Sequence, residues 1–398
     1  MVLSMNAYIV DTVRTQVGKY GGMLAGIRPD DLAASTLRAI IDRSYIPVAN
    51  VDEVILGAAN QSGDDNRNVA RMALLLAGFP VDVPGYTVNR LCASGLQAVA
   101  SAAEAICTGR ADVIIAGGVE SMTRAPWVTE KPNKPWAKPG PMFDTALGWR
   151  FINPAMAAHD GGLTTLSLGE ATEKLAKEMG IFRADSDLFA AQSHLKAAKA
   201  WEDGHFNSNV ITILGTKASV IDETIRPDTT VEALQALKPS FTSDGVITAG
   251  SASPLSDGAS AVLVVSESAL RKYDLTPIAK IVGFDVAGVR PYQFGIGPVP
   301  ATNKLLERLG MSIKDLDAVE INEAFAAQTL ACMRELKLDQ SKVNTWGGAI
   351  ALGHPLGSSG SRILGTLLSR LQSGDFEFGL ATLCIGVGQG ASMIVQRI

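Results

Sequence analysis

An α/β fold made of two similar halves is predicted by three features of the chain. The first is an internal echo: "VDEVILG" (51–57) and "LDAVEIN" (316–322) carry an aspartate and a valine in matching places, 265 residues apart. The second is a longer pair at the same separation, "SGLQAVASAAEAICTG" (94–109) and "SGSRILGTLLSRLQSG" (359–374). The third is what flanks that pair. A short strand-like run precedes each member ("YTVN" and "VNTW"), and an apolar run follows it ("ADVIIAGG" and "FEFGLATLC"). Strand, helix, strand, given twice at one offset, predicts two α/β units with buried sheets.

The elements follow in order. Each member of the long pair begins with Ser-Gly, continues as an apolar helix and stops at a glycine, Gly109 or Gly374, suited to a left-handed cap. The run after each is short and continuously apolar, as a strand covered on both faces must be. Between the halves, from about residue 123 to 256, the pattern breaks. "APWVTEKPNKPWAKPGP" holds five prolines and two tryptophans, a density that predicts no regular element. Two helices follow, one of them "DSDLFAAQSHLKAAKAWEDG", with Asp185 or Ser186 as its N-cap and Gly204 as its stop. This middle region reads as a large excursion from the core, and such excursions on rigid scaffolds carry binding surfaces.

Composition narrows the function classes. A chain of 398 residues with 47% hydrophobic and 19% charged residues folds around a large core. A net charge of -5 gives no reason to expect nucleic acid or an anionic membrane as partner. The four cysteines, Cys92, Cys107, Cys332 and Cys384, form no CxxC pair, and histidines number only four, so no metal site is expected. No signal peptide, transit pattern or membrane-length apolar run is present, and reduced thiols in a cytoplasm are expected.

Four residues stand where chemistry is expected. Cys92, in "NRLCASGLQA", lies at a strand-to-helix junction, where the helix dipole favours thiolate. A small buried hydrophobe is the other reading of a free cysteine, and it suits Cys107 and Cys332, both inside apolar helices. His354, in "GGAIALGHPLGSSG", occupies the equivalent turn of the second half. It is either loop filler or, if the halves pack about a pseudo-twofold axis, a base that meets Cys92. Asn322 and Glu323 open "NEAFAAQ" after a strand, and suit a helix cap or a fixed amide that positions a water or a carbonyl. Cys384 precedes the glycines of "CIGVGQG". That loop lacks the Lys-Ser or Lys-Thr of a phosphate loop, and too little chain follows it for a dinucleotide fold. Its glycines suit backbone N–H groups turned toward a carbonyl oxygen.

Taken in order, "DTVRTQVGKYGG", "DDNRNVARMA", "NRLCASGLQA", "GGVESMTRAP", "TAGSASPLSDGA", "GPVPA", "NEAFAAQ", "GGAIALGHPLGSSG" and "CIGVGQG" resemble the thiolase family (acetyl-CoA acetyltransferases and 3-ketoacyl-CoA thiolases) over nearly the whole chain. The resemblance implies the thiolase fold: two pseudo-symmetric βαβαβαββ halves in a five-layer αβαβα arrangement with an inserted loop domain. It places the first half at 1–122 and 257–274, the loop domain at 123–256 and the second half at 275–398.

The resemblance also implies a ping-pong acyltransferase, expected in fatty-acid β-oxidation, that uses coenzyme A as a substrate and holds no permanent cofactor or metal. Cys92 would become acylated. His354 would activate it, Asn322 would hold a water in the first oxyanion hole, and Cys384 would be the second acid and base. The N–H groups of Cys92 and Gly386 would form the second hole. Ser253 and Ala249 would contact the pantetheine arm, with Arg226 near the nucleotide and Ala324 and Phe325 along the tunnel. Acyl-CoA and coenzyme A are the expected partners, in a homodimer or homotetramer.

The sequence departs from the family pattern at several positions. Val387 stands where a glycine is common. Ser251, Pro254 and Ser256 stand where Asn, Gly and Asn are common. Leu168 and Phe294 replace methionines and bear on the fit of the acyl chain. "SGDDNRNVARMALLLAG" and "CIGVGQG" are similar to thiolases of β-ketoadipyl-CoA breakdown, an alternative to the general reaction. A decarboxylating ketoacyl synthase would carry histidine in place of Cys384, and a non-catalytic acyl-CoA-binding relative would lack one of the four residues.

Overall fold

The computed structural model describes residues 6–213 and 221–398. Nine strands form one continuous path. From one edge the order is Ala318–Ile321, Phe378–Ile385, Gln389–Arg397, Ala279–Gly288, Ala7–Thr15, Ser256–Ser266, Val113–Ser121, Glu53–Gly57 and Gly85–Val88. The two halves meet where Ala7–Thr15 pairs with Ala279–Gly288 over only two register positions, Tyr8 with Lys280 and Ile9 with Ala279. On either side of that seam the neighbours repeat. Glu53–Gly57 runs parallel to Val113–Ser121, and Ala318–Ile321 runs parallel to Phe378–Ile385. Their starting residues, 53 with 318 and 113 with 378, keep the 265-residue separation. Among the described residues no helix is long and apolar enough to cross a membrane.

The helices Ser94–Cys107 and Leu356–Ser373 pack on each other between the halves, and their glycines permit it. A Cβ on Gly95 would lie 2.7 Å from the Gly357 carbonyl oxygen, and one on Gly360 would lie 2.3 Å from the Leu96 nitrogen. Backbone meets backbone at both places, so no side chain can yield. Buried Leu96, Val99, Ile363, Leu364 and Leu367 fill the space around the crossing. Gly360→Ala is therefore expected to destabilise the fold by about 3 kcal/mol. The check is the urea midpoint; a shift equivalent to less than about 1 kcal/mol would mean that the crossing relaxes freely.

Several local expectations change. "VNTW" is not a strand. Only Val343 bridges, to Val319, because the Asn344 side chain replaces the ladder. Its Oδ1 accepts the Ile321 N–H at 2.9 Å and its Nδ2 donates to the Ile321 carbonyl at 2.8 Å. Gly109 takes the left-handed cap (φ 75°), but Gly374 stays extended (φ -126°). The proline-rich stretch does hold a strand, Trp127–Thr129, paired with Met142–Asp144; its five prolines fall outside the paired residues. The long middle helix begins earlier than expected, as Arg183–Glu202, with Phe182 at the cap position. Asp185 lies inside it and bonds back to the Phe182 N–H at 3.4 Å. Cys107 ends its helix exposed to solvent, whereas Cys332 is buried.

Candidate active site

Cys92 sits in a one-turn helix, Leu91–Ala93, that leads into Ser94–Cys107. Leu91 is held at φ 45°, an unfavourable conformation for a branched side chain. Three bonds hold it there. Asn89 Oδ1 accepts the Leu91 N–H at 2.9 Å, and Ser94 Oγ donates to the Leu91 carbonyl at 2.6 Å. The same Oγ accepts the Arg90 N–H at 2.9 Å. The strain goes into presenting the next residue, Cys92, to a cavity that it lines.

The helix-terminus position alone predicts a thiolate, and the structure corrects that. Burial pushes the Cys92 thiol up to about 11, and the negative charge of Glu120 adds to the rise. The N–H groups of Gly386 and of Cys92 itself oppose it without prevailing. Taking the thiolate out of water outweighs a helix dipole and two N–H groups. Cys92 rests as a thiol and requires a base.

His354 can serve as that base only if its Nε2 is free of a proton. The ring is buried, and burial pushes its pKa down to about 3, helped by the charge of Arg362. Nδ1 lies 2.6 Å from Ser359 Oγ, whose own proton goes to the Pro355 carbonyl at 2.9 Å. Nδ1 must therefore carry the ring proton, which leaves the Nε2 lone pair toward Asn322 Nδ2 at 3.3 Å. Ser256 Oγ accepts the His354 N–H at 3.2 Å and fixes the turn.

Asn322 is fully buried and does not cap a helix, since the helix after it starts only at Ala326. Its Oδ1 has no partner among the described residues. Glu323 braces the turn from behind. It accepts from Ser193 Oγ at 2.6 Å, Asn344 Nδ2 at 2.8 Å and the Ile350 N–H at 3.2 Å.

Cys384 is the last residue but one of the strand Phe378–Ile385, in its buried part, beside Phe294, Ala324 and Phe325. Burial raises its thiol well above the usual range, and the charges of Cys92 and Cys332 raise it further. After it the chain turns through Val387 (φ 64°) and Gly388 (φ 76°). Val387 is thus a β-branched residue in a left-handed conformation, where the family pattern has glycine.

Beside Cys92 lies a cavity of about 300 Å³, whose lining includes Gly386, Val387, Leu168, Met122, Glu120 and Arg150. His354, Asn322 and Cys384 are buried and form no part of that lining. Phe294 is also off it and packs in the Cys384 cluster, while Leu168 lines the cavity and packs against the same cluster. Glu120 is held by the N–H groups of Ala59 (2.9 Å), Asn60 (3.0 Å) and Gly357 (2.8 Å), and burial pushes its carboxyl up to about 7. It ties the first half to the helix that follows His354.

The residues expected to touch coenzyme A lie apart from this cavity. Ser253 donates its N–H to the Ala324 carbonyl at 3.0 Å, and Ala252 bridges to Phe325, so the two loops run together. Ala249 is exposed, and so is Arg226.

The Arg226 N–H bonds to Nδ1 of buried His194 at 3.2 Å. Burial pushes His194 down to about 4, with Arg226 adding to the fall. The unfolded chain therefore binds more protons than the folded one between about pH 4 and 6.5, and stability drops as pH falls through that window. The contribution is about 3 kcal/mol. His354 pulls the same way, whereas Glu120 and Asp65, with carboxyls raised to about 7 and about 6, pull the other way. His194→Gln isolates the term: its urea midpoint is expected to fall less than the parent's between pH 7 and 4.5. Parallel losses in both proteins would contradict the assignment.

Comparisons with known proteins match the whole chain. A family model described as the thiolase N-terminal domain matches residues 7–268, and one described as the thiolase C-terminal domain matches 275–397. A "Beta-ketoadipyl-CoA thiolase" of Pseudomonas knackmussii is 48% identical over 404 residues, covering 100% of both chains. A "3-oxoadipyl-CoA/3-oxo-5,6-dehydrosuberyl-CoA thiolase" of Escherichia coli is 49% identical over 401 residues, covering 98% of this chain and 99% of the relative. Among solved structures, human mitochondrial 3-ketoacyl-CoA thiolase in complex with CoA superposes with a TM-score of 0.92 at 39% identity, covering 100% of this chain and 99% of that one.

Proposed function

The chain belongs to the thiolase family and has its fold and acyltransferase chemistry, and from that premise we propose how its residues divide the reaction. Cys92 Sγ attacks the C3 carbonyl of a 3-oxoacyl-CoA as His354 Nε2 takes its proton. The C2–C3 bond then breaks. The acyl group stays on Cys92 as a thioester, and the electron pair leaves as the enolate of acetyl-CoA. Cys384 gives that enolate its proton, while the N–H groups of Cys92 and Gly386, which face the Cys92 sulfur, hold the oxygen of the carbon bonded to it. Asn322, through its unpartnered Oδ1, holds a water that with His354 binds the enolate oxygen. Coenzyme A then gives its thiol proton to Cys384 and attacks the acyl group, and Cys92 leaves as His354 returns its proton. The reverse sequence is the Claisen condensation.

The observation that carries this reading is a pair of buried thiols, Cys92 lining the cavity with the Gly386 N–H at its sulfur, and Cys384 close enough for Cys92 to raise it further. A thiol raised by burial is protonated at neutral pH, which is the form needed to quench a carbanion in the cleavage direction.

On this reading Ser253, Ala249 and Arg226 guide coenzyme A, with Ala324 and Phe325 along its tunnel. The joined loops of Ser253 and Ala324 support that path. The relatives' names support a 3-oxoacyl chain that ends in a carboxylate as the preferred substrate. Exposed Met72, Leu75, Leu76 and Val81 near the sheet edge support assembly as a dimer or tetramer. The need for two free thiols supports a reducing cytoplasm.

The test is coenzyme A-dependent cleavage of acetoacetyl-CoA and of longer 3-oxoacyl-CoAs. Turnover with one acyl group recovered on Cys92 is expected. Binding of acyl-CoA without any acyl-cysteine would sink the reading.

A further inference from the structure

We infer that Arg150 selects the substrate by pairing with a carboxylate at the far end of the acyl chain that Cys92 receives; this rests on the thiolase reading above. Much of the cavity wall beside Cys92 is apolar, with Leu91, Met122, Leu147, Trp149, Leu163 and Leu168. Arg150 is the one cation among its lining residues. Glu120, the one carboxylate of the lining, is occupied by three backbone N–H groups. A guanidinium has five N–H donors. The structure engages one of them, at 3.4 Å to the Thr145 carbonyl, and among the described residues no carboxylate stands within ion-pair distance. Elsewhere in this chain Arg14, Arg183 and Arg370 are each matched to a buried aspartate or glutamate.

The loop that carries Arg150 is built to hold still. Asn60 Nδ2 donates to Thr145 Oγ at 2.8 Å, and that hydroxyl donates to the Pro126 carbonyl at 2.6 Å. Trp149 Nε1 bonds to the Leu166 carbonyl at 3.2 Å. Gly148 (φ 81°) and Phe151 (φ 51°) set the turn on either side.

A planar guanidinium takes a carboxylate through two parallel bonds, and apolar walls strengthen the attraction. A chain ending in a methyl group would strip water from Arg150 and return nothing, so the same residue also rejects neutral chains. The substrate class is a 3-oxo-dicarboxylic acid joined to coenzyme A at one end, and the acyl group left on Cys92 keeps a free carboxylate.

The experiment compares kcat/KM for thiolysis of 3-oxoadipyl-CoA and of 3-oxohexanoyl-CoA, which have equal chain length, in the parent, Arg150→Lys and Arg150→Met. The parent is expected to favour the acid-ended chain. Arg150→Met should cut that preference by about 10- to 100-fold, and Arg150→Lys should retain part of it. No preference in the parent, an unchanged preference in Arg150→Met, or an equal fall on both substrates would overturn the inference, the last by showing a purely structural role. Parent turnover of the two six-carbon substrates separates the two levels. If both are cleaved without chain preference, only the role of Arg150 fails; if neither is cleaved, the thiolase reading fails with it.

Discussion

Cys92→Ala is expected to lower thiolysis of acetoacetyl-CoA by on the order of 10⁴-fold or more while leaving the fold intact. Removing one sulfur from a buried turn costs little packing, because Leu91 remains held by Asn89 and Ser94. The chemical cost is of another size. Without Sγ no acyl-enzyme forms, and cleavage would require direct attack by coenzyme A on the 3-oxo carbon. Cys92→Ser keeps the shape but raises the nucleophile's pKa, and His354 Nε2 is too weak a base in its buried site to compensate. It should also fall steeply. Steady-state kinetics, with circular dichroism as the folding control, make the check; turnover within tenfold of the parent in either variant would remove Cys92 from its role.

Cys384→Ala is expected to separate the two halves of the reaction. Transfer of an acyl group from acyl-CoA to Cys92 needs His354 and the turn around Cys92, none of which depends on Cys384 for position. Carbon–carbon cleavage needs a proton delivered to C2, and loss of a placed acid costs about 10³-fold. The variant should therefore exchange acetyl groups between Cys92 and coenzyme A at near-parental rate and fail to cleave acetoacetyl-CoA. Loss of both activities together would make the second cysteine a packing residue.

The two halves are legible in the sequence because a parallel strand buried on both faces leaves a short continuous apolar run, and a repeated run at one offset is hard to miss. The strands beginning at Glu53 and Ala318, and at Val113 and Phe378, keep that offset in the fold. The turns carrying Cys92 and His354 are legible for the same reason, as matching points of the repeat. What stayed hidden depends on partners far away in the chain. The state of the Cys92 thiol is set by burial and by Glu120, which no local pattern around the cysteine reveals. The strand expected at "VNTW" is replaced by bonds from one asparagine side chain to Ile321. Arg150 is not legible in the sequence because it lies in an irregular loop with no periodicity, and an arginine's meaning in such a loop depends on which cavity it lines. The signal available was its setting in "GWRF", between tryptophan and phenylalanine, in a stretch otherwise poor in arginine.

The central claim is that two buried cysteines split the work, one carrying the acyl group and the other moving the proton. Acetyl-CoA incubated with the Cys384→Ala protein, followed by intact-mass and peptide-mapping mass spectrometry, tests it most directly. One acetyl group on the peptide containing Cys92, in a protein that no longer cleaves acetoacetyl-CoA, is the predicted result. An acetyl group on any other residue, or undiminished cleavage by that protein, would contradict it.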